Sequence, residues 1–181
     1  MKLLLKNGRV VDPSEGRDAK ADVLIEKGRI AKVGARLRAP GVKTVDLSGL
    51  VVCPGFLDMH VHFREPGQEW KETIATGLRA AARGGFAAVA CMPNTVPPND
   101  SRAVTELMIR LARREPSARL HPIGCVSKGQ KGEELAEIGD MFEAGAVAFS
   151  DDGHPIRSSL LMRKALEYAQ VFDVPIIDHC E

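Results

Sequence analysis

Cysteine is scarce and never closely paired. Cys53, Cys91, Cys125 and Cys180 stand far apart, with no Cys-x-x-Cys among them. This excludes a structural zinc knot and a thioredoxin-type motif, and it fits free thiols in a reducing, cytoplasmic setting. An excess of one charge is also missing: 25 Lys and Arg stand against 24 Asp and Glu, a formal net charge of +1. No basic cluster is interleaved with aromatics, so neither nucleic acid nor a membrane surface is an expected partner. No apolar run is long enough to cross a bilayer. Met1-Lys2-Leu3-Leu4-Leu5-Lys6 offers too few leucines for a signal-peptide core before Asn7-Gly8 intervenes. No Gly-x-Gly-x-x-Gly or P-loop opens a predicted helix, which removes the commonest nucleotide-binding motifs. What is present is an ordinary globular composition, 44% hydrophobic and 27% charged, with enough apolar material for a core and a small molecule or protein as partner.

The first 52 residues read as short strands joined by tight turns: Leu3 to Leu5, Arg9 to Val11, Asp22 to Glu26, Arg29 to Val33, then Thr44 to Leu47 and Leu50 to Val52. Asn7-Gly8 and Lys27-Gly28 lie between strand pairs and tolerate positive φ, so both are expected as hairpin turns of a small antiparallel β module. From Cys53 the rhythm changes to apolar strand, polar strand end and amphipathic helix. Strands are expected at Gly55 to His62, Ala87 to Met92, Leu120 to Val126, Ala146 to Ser150 and Val174 to His179. Helices are expected at Lys71 to Arg83, Ser101 to Arg114, Gly132 to Glu143 and Ser158 to Phe172. Val104, Leu107, Met108 and Leu111 mark one buried helical face. Strict alternation with continuous apolar strands predicts a parallel α/β sheet covered by helices, and a (β/α)8 TIM-type barrel fits it. Such barrels take about 250 residues, whereas five strands are countable here. The expectation is therefore a partial barrel over 53–181, with an uncovered sheet face and strand edges that favour association.

Alternation along the first barrel strand puts Asp58, His60, His62 and Arg64 on one face and Leu57, Met59, Val61 and Phe63 on the other. A lone histidine there would be a satisfied polar residue. Two, at the C-terminal end of a buried parallel strand, lie where barrel active sites form, and neutral imidazole is the commonest metal ligand. Asn94, the pair Asp151 and Asp152, and His179 each fall at the end of a different strand, so all converge on one mouth. Three histidines and a carboxylate suit zinc, one ion or two. His121 opens its strand and has no role, His154 reads as a solvated loop residue, and Cys180, on the opposite face from His179, reads as a buried thiol.

The run Gly55-Phe56-Leu57-Asp58-Met59-His60-Val61-His62-Phe63-Arg64-Glu65-Pro66-Gly67 resembles the first-strand signature of the amidohydrolase superfamily in its dihydroorotase form. Met92-Pro93-Asn94-Thr95, Phe149-Ser150-Asp151-Asp152-Gly153 and Asp178-His179-Cys180-Glu181 are similar to that family's next segments, in order. The resemblance implies His60, His62, Asp152 and His179 as metal ligands. Asp152 is preferred over Asp151 on the motif match, since periodicity does not separate them. It implies Arg64 and Asn94 as the holders of a substrate carboxylate, and a general base beyond Glu181. It also implies a β module, residues 1–52, that forms part of a composite β-sandwich.

The activity so implied is zinc-dependent, reversible cyclisation of N-carbamoyl-L-aspartate to L-dihydroorotate in pyrimidine biosynthesis, by a cytoplasmic homo-oligomer. Two alternatives stand beside it. One is a hydantoinase- or allantoinase-type cyclic amidohydrolase. The other is a non-catalytic, dihydroorotase-like subunit of an aspartate carbamoyltransferase complex.

Overall fold

The computed structural model describes residues 2–179, so the expectation for Cys180 lies outside the described residues. The chain divides into two compact units, residues 1–54 and 55–181.

In the first unit, β1 (Lys2–Asp12), β2 (Arg17–Glu26), β3 (Arg29–Gly34), β4 (Lys43–Asp46) and β5 (Val51–Val52) form one sheet. Its order is β3-β2-β1-β4, with β5 also on β1. Lys27 and Gly28, at φ 51° and 75°, make the expected tight β2–β3 turn. Asn7-Gly8 does not turn the chain. Leu5 faces Val23 and Gly8 faces Ala21, so Lys6 and Asn7 together oppose Asp22 in a β-bulge, with Asn7 at φ 65°. The carboxylate of Asp22, itself buried, accepts the freed Asn7 N–H at 2.9 Å and the Leu37 N–H at 2.9 Å. The sheet is mixed rather than antiparallel, because the chain crosses over after β3 and lays β4 and β5 parallel to β1.

The second unit alternates β6 (Phe56–Val61), α1 (Ile74–Arg83), β7 (Phe86–Cys91), α2 (Arg102–Ala112), β8 (Arg119–Gly124), α3 (Ile138–Ala144), β9 (Ala148–Phe149) and α4 (Ser159–Gln170). The sheet order is β6-β7-β8-β9, all parallel, which makes it half of a (β/α)8 barrel. The expected fifth strand makes one parallel bridge, Ile176 with Phe149. The α3 helix starts later than its pattern suggested. Residues 131–137 instead fold back on the end of β8, where Leu135 bridges Ser127 and Ala136 N–H donates to Val126 O at 2.9 Å. Helix α1 is capped twice at its start: Thr73 and Thr76 form a capping box, and Glu65 Oε2 accepts the Ile74 N–H at 2.8 Å.

Helices cover one sheet face, where Phe63, Ile74, Leu78, Val89, Cys91, Val104 and Met108 form a buried cluster. On the other face Ala90, Met92, Ile123 and Ala148 cluster with Ile177, while Leu57 and Met59 stand 53% and 69% exposed.

Candidate metal centre

The first barrel strand does not alternate strictly. Asp58 pairs with Val89 and Val61 with Cys91, so Met59 and His60 together oppose Ala90 in a second bulge. The four-residue polar stripe is thereby broken. Leu57 and Met59 line the uncovered apolar face, whereas Val61 and Phe63 pack toward the helices, and Asp58 shares the helix-side register. Asp58 Oδ1 accepts the His60 N–H at 3.1 Å, satisfying a donor that the ladder loses at the bulge.

The bulge still delivers both imidazoles to one carboxylate. His60 Nε2 lies 3.1 Å from Asp152 Oδ1, and His62 Nδ1 lies 3.9 Å from Asp152 Oδ2. The two rings meet edge to face, with centroids 5.1 Å apart. One ligand atom from each of His60, His62 and Asp152 falls within 4.8 Å of the other two, a spread that one cation can bridge. Two imidazole nitrogens and one carboxylate oxygen fit a divalent, borderline metal.

Asn94, expected to grip substrate, is engaged within this group. Its Oδ1 lies 2.9 Å from His62 Nδ1, and its Nδ2 donates to Asp152 Oδ2 at 2.5 Å. Arg64 is anchored beside it, Nη1 donating to Asn94 O at 3.2 Å. His179 is exposed and stands outside the three-residue group.

The acidic pair divides its labour. Asp152 occupies the left-handed region at φ 52°, its N–H held by Ser150 Oγ at 2.9 Å, and turns toward the histidines. Asp151 points into the fold, 4% exposed, where Oδ1 accepts Val126 N–H at 2.8 Å and Ser127 N–H at 3.1 Å, and Oδ2 accepts the Ser127 hydroxyl. Burial pushes the Asp151 carboxyl above its ordinary value, and these hydrogen bonds pull against it. Behind the histidine strand, Phe63 N–H reaches Cys91 Sγ at 3.4 Å. Burial drives that thiol up to about 12, so Cys91 is a neutral packing residue.

Sequence reasoning missed the anchoring residues Ser127 and Ser150, the Glu65 cap and the bridging of His62 and Asp152 by Asn94. Ser150, inside the Ser-Asp-Asp run, Glu65, inside the first-strand run, and Asn94 carried local signals; Ser127 carried none.

A sequence profile of the dihydro-orotase-like family matches residues 49–181. The chain belongs to that family. Among curated relatives, the dihydroorotase of Syntrophotalea carbinolica is 53% identical over 181 residues and that of Citrifermentans bemidjiense 55% over 182. Both alignments cover 100% of this chain and 43% of the relative, so the chain spans less than half the length of the proteins it matches. Among solved structures, an L-hydantoinase from Arthrobacter aurescens superposes with a TM-score of 0.84 at 23% identity, covering 99% of this chain and 40% of that one. A D-hydantoinase from Thermus sp. gives 0.69 at 28% identity, with the same coverage. At 23% identity the first match bears on fold alone. Dihydro-orotase-like proteins are amidohydrolases, which are metal-dependent and act on small molecules, and His60, His62 and Asp152 form a group in this chain that can hold a metal. Among the described residues no helix is long and apolar enough to cross a membrane.

Proposed function

We propose that this chain supplies the metal-holding part of a dihydroorotase centre, which interconverts N-carbamoyl-L-aspartate and L-dihydroorotate. The observation that carries the reading is the convergence of His60, His62 and Asp152 beside Arg64, in a chain with 53% identity to a relative named dihydroorotase. Zinc suits the donor set, with His60, His62 and Asp152 holding it and His179 contributing a further ligand. When bound, such a metal polarises a ring amide carbonyl and lowers the pKa of water.

The chain's own residues do the rest by position. Arg64 presents a guanidinium, whose planar fork matches a carboxylate, and its anchorage on Asn94 O sets its aim. Asn94 keeps His62 and Asp152 oriented, and its amide Nδ2 is a donor that a substrate carboxylate can compete for. An anionic substrate is the reason to prefer dihydroorotase over the hydantoinase-type alternative, because a neutral ring leaves Arg64 without a partner. Likewise, His60, His62, Arg64 and Asn94 are all present, which favours an enzyme over a non-catalytic subunit. Homo-oligomerisation, or assembly with an aspartate carbamoyltransferase, belongs to the same reading.

The test is metal analysis with kinetics on the full-length protein. His60→Ala with His62→Ala is expected to lose both zinc and turnover, and Arg64→Lys to raise KM about tenfold or more with zinc retained. Unchanged zinc content in the double variant would overturn the ligand assignment, and an unchanged KM in the lysine variant would remove Arg64 from substrate binding.

A further inference from the structure

Beyond Asp152 the chain runs through 153–158 into α4, facing the loop that follows β8. Between them lies a cavity of about 490 Å³, lined by Lys131, Arg157, His154, Gln130 and Ser158 among others, with no acidic residue in its wall. Its two cations are free. Lys131 and Arg157 are exposed and, like most Lys and Arg of the chain, have no ion pair or side-chain hydrogen bond among the described residues; what sets them apart is that they share one acid-free cavity. Nor are the walls loose. Gln130 Nε2 donates to Asp151 O at 3.2 Å, Gly132 N–H to Ser127 Oγ at 2.8 Å, and His154 N–H to Asp151 O at 3.1 Å. Both loops are thereby tied to the buried Asp151 and Ser127.

We propose that this cavity is an anion site for a phosphoryl group, separate from Arg64 and Asn94. Two cations held on different loops around an acid-free cavity give a dianion two points of attraction at once. Arg157 offers a planar fork and Lys131 a point charge, the two usual ways of gripping phosphate oxygens. His154 adds a ring N–H. Ser158 is the N-cap of the twelve-residue α4, so the positive end of that helix opens on the same wall. The volume exceeds what a bare phosphate fills, leaving room for the body of a phosphomonoester. The site depends neither on the metal nor on the dihydroorotase reading.

Isothermal titration of the full chain with inorganic phosphate, glycerol 3-phosphate and succinate tests the proposal, with circular dichroism as a check on folding. Both phosphates are expected to bind, and succinate about tenfold more weakly than the better of them. Lys131→Gln with Arg157→Gln is expected to weaken phosphate binding about tenfold or more, while Lys131→Arg with Arg157→Lys and, separately, Arg64→Lys leave it in place. Tighter binding of glycerol 3-phosphate supports a phosphorylated metabolite as the ligand, and tighter binding of inorganic phosphate supports the free ion. The proposal is overturned if the glutamine variant binds phosphate as the parent does, if succinate binds as well as the better phosphate, or if neither phosphate binds below about 10 mM.

Discussion

Two adjacent aspartates show how far one residue's role depends on its surroundings. Asp151 and Asp152 share a chemistry and a loop, yet the first accepts two backbone N–H groups and a hydroxyl in the interior, while the second faces His60 and His62. Asp151→Ala leaves buried donors unsatisfied and is expected to lower stability by about 3 kcal/mol, read as a lower denaturation midpoint. Asp152→Asn is expected to keep that midpoint and lose metal, read by zinc content after dialysis. If both variants lose metal and stability alike, the division between the two aspartates is wrong. The motif match prefers Asp152, and the structure turns that residue toward His60 and His62. What was not legible was the reason, since strand periodicity carries no information about a residue in the left-handed region beyond the strand end.

At the scale of elements, the His60–His62 strand is positioned from behind by a helix. Phe63 lies between His62 and Arg64 in sequence and packs against Gly77 of α1, where an added Cβ would sit 2.2 Å from the Phe63 ring. Gly77→Ala therefore forces the ring to move. It is expected to cost about 1 to 3 kcal/mol in stability and to weaken metal binding through the displaced strand. Phe63→Leu in the same chain gives back room, so a double-mutant cycle by denaturation should show the second change partly reversing the first. Additive losses would mean that the contact does not position the strand. Glu65 belongs to the same scale: it stands in the run that resembles the family's first-strand signature, and its carboxylate caps α1. Helices were readable because their apolar periods are long, as in α2. The two bulges were not, because each is set by a partner strand. Asn7-Gly8 has the backbone freedom for either a turn or a bulge, and pairing with β2 chose the bulge.

At the scale of the whole chain, the sheet face away from the helices is the exposed feature. Leu57 and Met59, with Ala90, Ile123, Val147, Ala148 and Ile177, border an apolar cavity of about 350 Å³. Apolar surface of this kind promotes association. The 181-residue chain is expected to bind a hydrophobic dye and to scatter light increasingly with concentration, and Leu57→Lys with Met59→Lys to reduce both. Equal dye binding by the charged variant would place the sticky surface elsewhere.

The sequence by itself determined the β/α order, the parallel sheet, the Lys27-Gly28 turn and the residue types of the group that can hold a metal. These follow from local periodicity, turn chemistry and the identity of strand-end side chains. Tertiary structure decided the mixed pairing of the first sheet, the bulge that carries His60 and His62 to one carboxylate, and the turning of Asp152 outward while Asp151 is buried. Each of these depends on which distant backbone groups need partners, a condition that exists only once the strands have met.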